Sequence, residues 1–316
     1  MAMPSSTLAT YEAVGNREDL SDIIYDVSPV ETPVLSNMPR GKATSTKHEW
    51  LTRALAAASG SNAVLEGDDA TTDAANSNTR IYNYCQISDK VARVTGTQEA
   101  VDKAGMRSVL AREMEDKMKE LKRDVETTLL QNVAYVAGGD TTARKLAGLS
   151  CYVKTNIDKA SDGTAAAGTG ADIYTTGTAR ALLETQVEAA LALIWTNSAP
   201  SSLTGVMNAF QKRKFAPFSG SSTKTQDGAK TKVVNNVEIY VDPLGTEVKL
   251  VPCRQAPTSS IFFVDMEYLK FCTLRNFHTT DLAKTGDSER KQILVEYTME
   301  VSNEKAHGAV YDLTTS

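Results

Sequence analysis

The chain is poor in the residues on which chemistry is usually built. Among its 316 residues only His48, His278 and His307 are histidine, and none lies at metal-ligand spacing from a Cys, Asp or Glu or within an HExxH-type helix. That pattern argues against a metal centre, and nothing in the sequence calls for another cofactor. The four cysteines, Cys85, Cys151, Cys253 and Cys272, also lack metal-ligand spacing. In a reducing compartment they read as small buried hydrophobes. No GxSxG elbow offers a hydrolase nucleophile. The formal net charge of −5 is spread over mixed-sign segments with no basic run, which argues against nucleic-acid binding as the main task. No apolar stretch approaches the ~20 residues of a membrane span. Residues 1–11 lack the basic and apolar regions of a signal peptide, so synthesis in a cytosol is expected.

What the chain does have is one long amphipathic run. Over residues 106–136, Met106, Val109, Leu110, Met114, Met118, Leu121, Val125, Leu129, Val133 and Val136 keep the three-and-four spacing of a single helix face. Gly105 precedes the run, Gly138 and Gly139 follow it, and no Gly or Pro interrupts it. A helix of this length is roughly 45 Å long at ~1.5 Å per residue, enough to cross the molecule as a beam. Its other face mixes Glu113, Glu115, Asp116, Glu120 and Asp124 with Lys117, Lys119, Lys122 and Arg123. Pairs such as Glu113 with Lys117 and Glu115 with Lys119 sit at i, i+4, and predict a solvated or rim-contacting face.

The rest of the chain is arranged around this run. Its length favours two subdomains, or one domain with long extensions. Residues 1–41 read as an arm broken by Pro4, Pro29, Pro33 and Pro39, with one short helical candidate at 17–26. Residues 46–55 and 80–87 read as the two sides of an extended hairpin. Between them, residues 56–79 are rich in Ala, Ser, Asn, Asp, Thr and Gly and form a polar tip too long for a compact interior. A strand at 91–97 leads to the beam. Beyond the small-residue stretch 161–177, the pattern predicts helices at 178–195 and 203–215, then strands at 232–241, 247–252 and 261–264. The last strand, 291–301, alternates Ile293, Val295, Tyr297, Met299 and Val301 against Glu296, Thr298 and Glu300. Residues 309–313 are expected to fold back on it as a terminal hairpin. A sheet apolar on one side needs a covering layer, and the stripe of the long helix is the predicted partner.

Several chemical signals are weak beside structural explanations. Gly168, Thr169, Gly170, Ala171 and Asp172 open like a phosphate loop but follow no strand and lack its remaining elements, so a connector is the better reading. Asp68 and Asp69 sit in a turn, where Asp is favoured for backbone reasons. The basic cluster Lys212, Arg213, Lys214 suits the end of a helix. A thiol nucleophile, Cys151 or Cys272 with His278 as base, is the one enzymatic alternative that spacing leaves open.

The order of parts resembles a tailed-bacteriophage major capsid protein of the Hong Kong 97 fold: proline-bearing arm, projecting hairpin, strand, beam helix, inserted α+β unit, returning strand. Particular stretches also look like phage major head proteins. They are Ser28-Pro-Val-Glu-Thr-Pro-Val, Tyr84-Cys-Gln-Ile, Val94-Thr-Gly-Thr-Gln, Glu120-Leu-Lys-Arg-Asp-Val-Glu, Lys284-Thr-Gly-Asp-Ser-Glu-Arg-Lys-Gln and Glu296-Tyr-Thr-Met-Glu-Val.

The resemblance implies an α+β shell subunit with an N-terminal arm at 1–41, an extended loop at 42–80 and a peripheral domain at 81–177 holding the spine helix 106–136. An axial domain at 178–290 and C-terminal strands at 291–316 that return to the peripheral domain complete it. It further implies hexamers and pentamers closing an icosahedral head around double-stranded DNA in a virion assembled in a bacterial cytoplasm, without a catalytic, cofactor or metal site. The arm is too short for a scaffolding domain, so a separate scaffold, or a precursor region outside this sequence, is expected, with a portal and, as an option, a decoration protein. Nothing marks a Lys, an Asn and a carboxylate as a covalent crosslink, so assembly is expected to be non-covalent. The alternatives are an encapsulin-like nanocompartment shell and, from another class, the thiol enzyme.

Overall fold

The computed structural model describes residues 28, 31–70, 74–102, 106–198, 202–215, 217–218 and 238–315. The helix expected at 17–26 and residues 232–237 of one expected strand lie outside them. In chain order the elements are α1 (Pro33–Asn37), β1 (Arg40–Lys42), β2 (Lys47–Arg53), β3 (Asn78–Tyr84), β4 (Gln86–Thr95), α2 (Gly96–Ala100), α3 (Val109–Leu130), β5 (Ile157–Asp158) and α4 (Glu184–Asn197). There follow β6 (Leu203–Met207), α5 (Ala209–Phe215), β7 (Ile239–Val241), β8 (Glu247–Pro252), β9 (Ile261–Val264), β10 (Leu269–Asp281), β11 (Ser288–Val301) and β12 (Gly308–Val310). Among the described residues the strands form a four-stranded sheet ordered β1-β10-β11-β4, a six-stranded sheet ordered β5-β12-β9-β6-β8-β7, and the β2-β3 hairpin.

The long helix α3 is the beam, at 22 residues instead of the 31 in the 106–136 pattern, and about 33 Å long. It starts where the Ser108 hydroxyl accepts the Ala111 N–H, with the Glu99 carboxylate accepting the Val109 N–H, so Met106 precedes the cap. It ends at Leu130 because the groups that would extend it are already used. The Asn132 side chain accepts the Tyr174 N–H and donates to the Tyr174 carbonyl, while the Val133 carbonyl takes the Gly148 N–H. Val136 pairs with Lys145. Gly148 allows this crowding, since a Cβ there would fall 1.8 Å from the Gln131 carbonyl oxygen.

The stripe of α3 meets the strand predicted for it. Leu121, Val125 and Leu129 share one core with Ile293, Val295, Tyr297, Met299 and Val301 of β11, all essentially buried. Each such side chain contributes about 2 kcal/mol on burial. The outer face carries Lys119–Glu115 and Lys117–Glu120 pairs, and Lys90 of β4 reaches across to Asp124 at 2.8 Å.

Five expectations need correction. The sheet is not apolar on one side only: Glu296 and Thr298 on the opposite face of β11 are buried too, because the base of the β2-β3 hairpin and Arg144 cover them. β10, inside the span 178–290 assigned to an axial domain, lies between β1 and β11 in the sheet that carries α3. β12 does not return onto β11 as a hairpin within 291–316, but pairs with β9 and β5 in the six-stranded sheet. Residues 203–207 are a strand and not part of a helix 203–215. Leu203, Val206 and Met207 are buried between β8 and β9, where a central strand is covered on both faces, and α5 opens only after Asn208. α4 itself starts at Glu184, later than the 178 expected, and packs Val187, Ala190, Leu191 and Ile194 onto this second sheet.

The arm is tied to the beam at one buried group. Both oxygens of Glu126 on α3 are used as the N-terminal cap of α1, accepting the Val34 N–H at 2.9 Å and the Leu35 N–H at 2.7 Å. Thr32, the residue in the ordinary cap position, makes no such bond. Burial pushes the Glu126 carboxyl upward, and the two N–H groups oppose that shift. Glu126→Ala leaves both N–H groups buried and unpaired, so denaturant unfolding should report a loss of about 2 kcal/mol, with α1 becoming open to protease.

Candidate functional site: the extended hairpin and its anchor

The hairpin is fixed at its base and bare at its tip. β2 and β3 pair from Lys47 opposite Tyr84 to Arg53 opposite Asn78. At the base, Trp50 is buried and lies 5.9 Å from Tyr152, whose hydroxyl donates to the Tyr82 carbonyl. The Asn83 side chain, wholly buried, donates to the carbonyls of Ala147 and Met299 and accepts the Ala147 N–H. It thereby ties β3 to β11 and to the loop after α3. The Tyr82 and Tyr135 hydroxyls are 2.6 Å apart, and the Lys47 ammonium sits 3.9 Å over the Tyr82 ring. Between Arg53 and Asn78 every described residue but the half-buried Asn76 is exposed, and Leu55, Val64 and Leu65 present 87%, 85% and 79% of their surface to solvent.

The residues considered for chemistry are not brought together. Cys151 is buried, with its Sγ on the Val133 carbonyl, and burial pushes its thiol up to about 12. Cys272 is pushed up to about 12 as well, first by burial and then by Glu300. His278 lies on the same strand as Cys272, roughly 20 Å further along at ~3.3 Å per residue, and its Nδ1 faces the Asn276 carbonyl. Cys272 and His278 therefore have no geometry for a nucleophile–base pair. Asp172 accepts the Ala167 N–H and closes the Gly168–Gly170 loop on itself. Asp68 accepts the Asp69 N–H in an exposed turn. In the basic cluster, the Lys212 ammonium donates to the Leu250 carbonyl and Lys214 lies over the Phe210 ring.

Two groupings escape sequence reading. Glu296 is gripped between Arg144 and Arg275, and Glu300 accepts from His48, Lys270 and Ser302. His48, first, and then Ser302 and Lys270 hold the Glu300 carboxyl down at about 2, against burial. The alternating polar face of β11 was the signal available for both. Their partners lie far away in sequence, 252 positions in the case of His48 and Glu300.

A family model of the SU10 major capsid protein matches residues 6–314. The chain belongs to that family. Consistent with membership, it is 25% identical over 350 aligned positions to the major capsid protein of Escherichia phage Phieco32, with 98% of each chain covered. The fold is Hong Kong 97-like. The capsid subunit of cyanophage A-1(L) superposes with a TM-score of 0.66 at 11% identity, covering 98% of this chain and 99% of that one. The capsid of a native GTA particle superposes at 0.64 and 14%, covering 99% and 100%. An encapsulin from Synechococcus elongatus PCC 7942 shares the fold at 0.57 and 9%, covering 95% and 93%. The family and the curated relative, by contrast, are phage capsid proteins. As a member of the SU10 family the chain is a major capsid protein of a tailed phage. Among its described residues, no helix is long and apolar enough to cross a membrane.

His307 sets an acid limit on this subunit. It is fully buried, its Nδ1 accepts the Asp265 N–H, and burial holds its pKa down at about 4 against an ordinary 6.5. The unfolded chain therefore takes up this proton first as pH falls. The contribution is complete above about pH 6.5 and is lost progressively toward pH 4, by about 3 kcal/mol in all. Denaturant unfolding between pH 7 and 4.5 should show that decline, and a smaller slope in His307→Gln.

Proposed function

We propose that copies of this chain form the pentamers and hexamers of an icosahedral head that encloses double-stranded DNA, assembled non-covalently in the cytoplasm of a bacterial host. The observation that carries this reading is the hairpin: a base locked into the subunit's own core and a tip whose Leu55, Val64 and Leu65 stay exposed among the described residues. Such a tip fits a neighbouring copy, and many modest contacts repeated by symmetry close a shell. The net charge of −5 supports a container that holds DNA by shape, since a cationic lumen would pin the genome to the wall.

Within the subunit, residues 1–41 serve as the arm and 42–80 as the extended loop. The α3-bearing four-stranded sheet serves as the peripheral part and the six-stranded sheet as the axial part. The strand pairing favours placing β10 with the first and β12 with the second, a division that refines the spans 81–177, 178–290 and 291–316. A separate scaffold, a portal and, where present, a decoration protein are the partners, and no membrane is involved.

Electron microscopy of the purified chain, alone and with its scaffold, should give capsomer rings or closed shells, and a denaturing gel of those particles should run at the monomer position. Replacing residues 55–77 by a short Gly-Ser turn should abolish shells while leaving the circular dichroism spectrum and unfolding midpoint within experimental spread of the parent. Shells that form normally without the tip would remove the hairpin from the assembly mechanism, and a crosslinked ladder would overturn non-covalent closure.

A further inference from the structure

At the root of the hairpin three strands bring together three side chains of different ligand type. His48 comes from β2, Cys272 from β10 and Glu300 from β11, and one ligand atom of each lies within 4.8 Å of the others. Two of these approaches share one oxygen, Glu300 Oε2, which stands 3.0 Å from His48 Nε2 and 3.7 Å from Cys272 Sγ. A tetrahedral zinc ion with its usual bond lengths places a nitrogen and an oxygen ligand about 3.3 Å apart, and a sulfur and an oxygen about 3.5 Å apart. The observed separations differ from those edges by a few tenths of an ångström. From this geometry we propose that His48, Cys272 and Glu300 bind one divalent transition-metal ion of the zinc class, clasping the hairpin to the four-stranded sheet.

The surroundings hold the donors in place. Glu300 Oε1 is occupied by the Ser302 hydroxyl at 2.7 Å and the Lys270 ammonium at 3.2 Å, which turns Oε2 toward the other two ligands. Such outer partners orient ligands in known metal sites. The His48 ring lies 6.0 Å from Trp50, a buried member of the main core. Opposite Cys272 in the β1–β10 pairing stands Gly41, where a Cβ would come within 2.5 Å of the Cys272 sulfur. Any larger residue there would press on the sulfur. The His48 and Glu300 side chains keep 15% and 14% of their surface exposed, which gives an ion a way in and a water the fourth position.

Charge and protons balance without a redox step. Thiolate and carboxylate neutralise the two charges of the ion. The Cys272 thiol gives one proton to solvent, the imidazole ligates through Nε2 with its proton on Nδ1, and the carboxylate is already ionised. Softness matches too, since thiolate, imidazole and carboxylate together suit zinc better than magnesium or calcium.

The test uses the full-length chain, reduced and stripped with a chelator, titrated with Co²⁺ and then Zn²⁺. One equivalent of Co²⁺ should produce a near-ultraviolet thiolate-to-cobalt charge-transfer band with visible bands of tetrahedral intensity, and Zn²⁺ should displace both. Cys272→Ser should lose the charge-transfer band, His48→Gln should weaken Co²⁺ binding about tenfold or more, and Cys151→Ser should bind as the parent does. Absence of the band in the parent, or its persistence in Cys272→Ser, would overturn the site. X-ray absorption of the zinc-loaded parent needs no variant and so is independent of whether the variants fold. It should report one sulfur among nitrogen and oxygen ligands, and a sulfur-free shell would equally overturn the proposal.

Discussion

Strand β11 is buried on both faces from Val295 to Met299, and that constraint organises the subunit. One face supplies Ile293, Val295, Tyr297, Met299 and Val301 to the core under α3. The other carries Glu296, buried, and Glu300, largely covered, two carboxylates that need partners away from bulk water. Arg144 and Arg275 satisfy the first carboxylate, and His48, Lys270 and Ser302 the second. A polar face under cover demands partners at fixed positions, whereas an apolar face accepts any well-packed neighbour. The hairpin is therefore held in one place by the polar side of a strand whose apolar side builds the body.

The arm follows the same logic. Glu126 lies on the face of α3 turned into the protein, where a carboxylate is costly unless it is bonded. Two backbone N–H groups of α1 provide that bonding, so the helix and the arm each complete a deficiency of the other. At the far end of the chain Asp312, buried and with a positive φ of 59°, accepts the N–H groups of Ala160 and Gly177 and pairs with the Tyr174 hydroxyl. Both attachments use a carboxylate to fix irregular backbone, the kind of contact that leaves little trace in hydrophobic periodicity.

Much of the architecture is nevertheless legible in the residues. The period of α3, the alternation of β11 and the polar tip of the hairpin all stand in the sequence, because each element has one buried face and one wet face. The misreadings have particular causes. β10 has register shifts between Thr273 and Arg275 and again before His278, which scramble its alternation. β6 is a short apolar run running into a helix, and short apolar runs do not declare their period. The last turn and a half expected of α3 is lost because Asn132 and Val133 bond to loops far along the chain. His48, Cys272 and Glu300 meet only through the hairpin, so their sequence distances carry no ligand spacing, while the pairing of Cys272 with His278 was a matter of composition that the extended strand separates.

The grip on the hairpin has a mechanical consequence. With Trp50, Asn83, Tyr82 and His48 all seated at one end, β2 and β3 behave as a cantilever whose direction is decided by the subunit that owns it. The stretch beyond Arg53, exposed in nearly all of its described residues, resists bending little, its bonds being local ones such as that of the Asp68 N–H to the Leu65 carbonyl. In a curved shell, where adjoining copies meet at more than one angle, such a division of stiffness puts the adjustment at the free end and leaves the heart of each subunit undistorted.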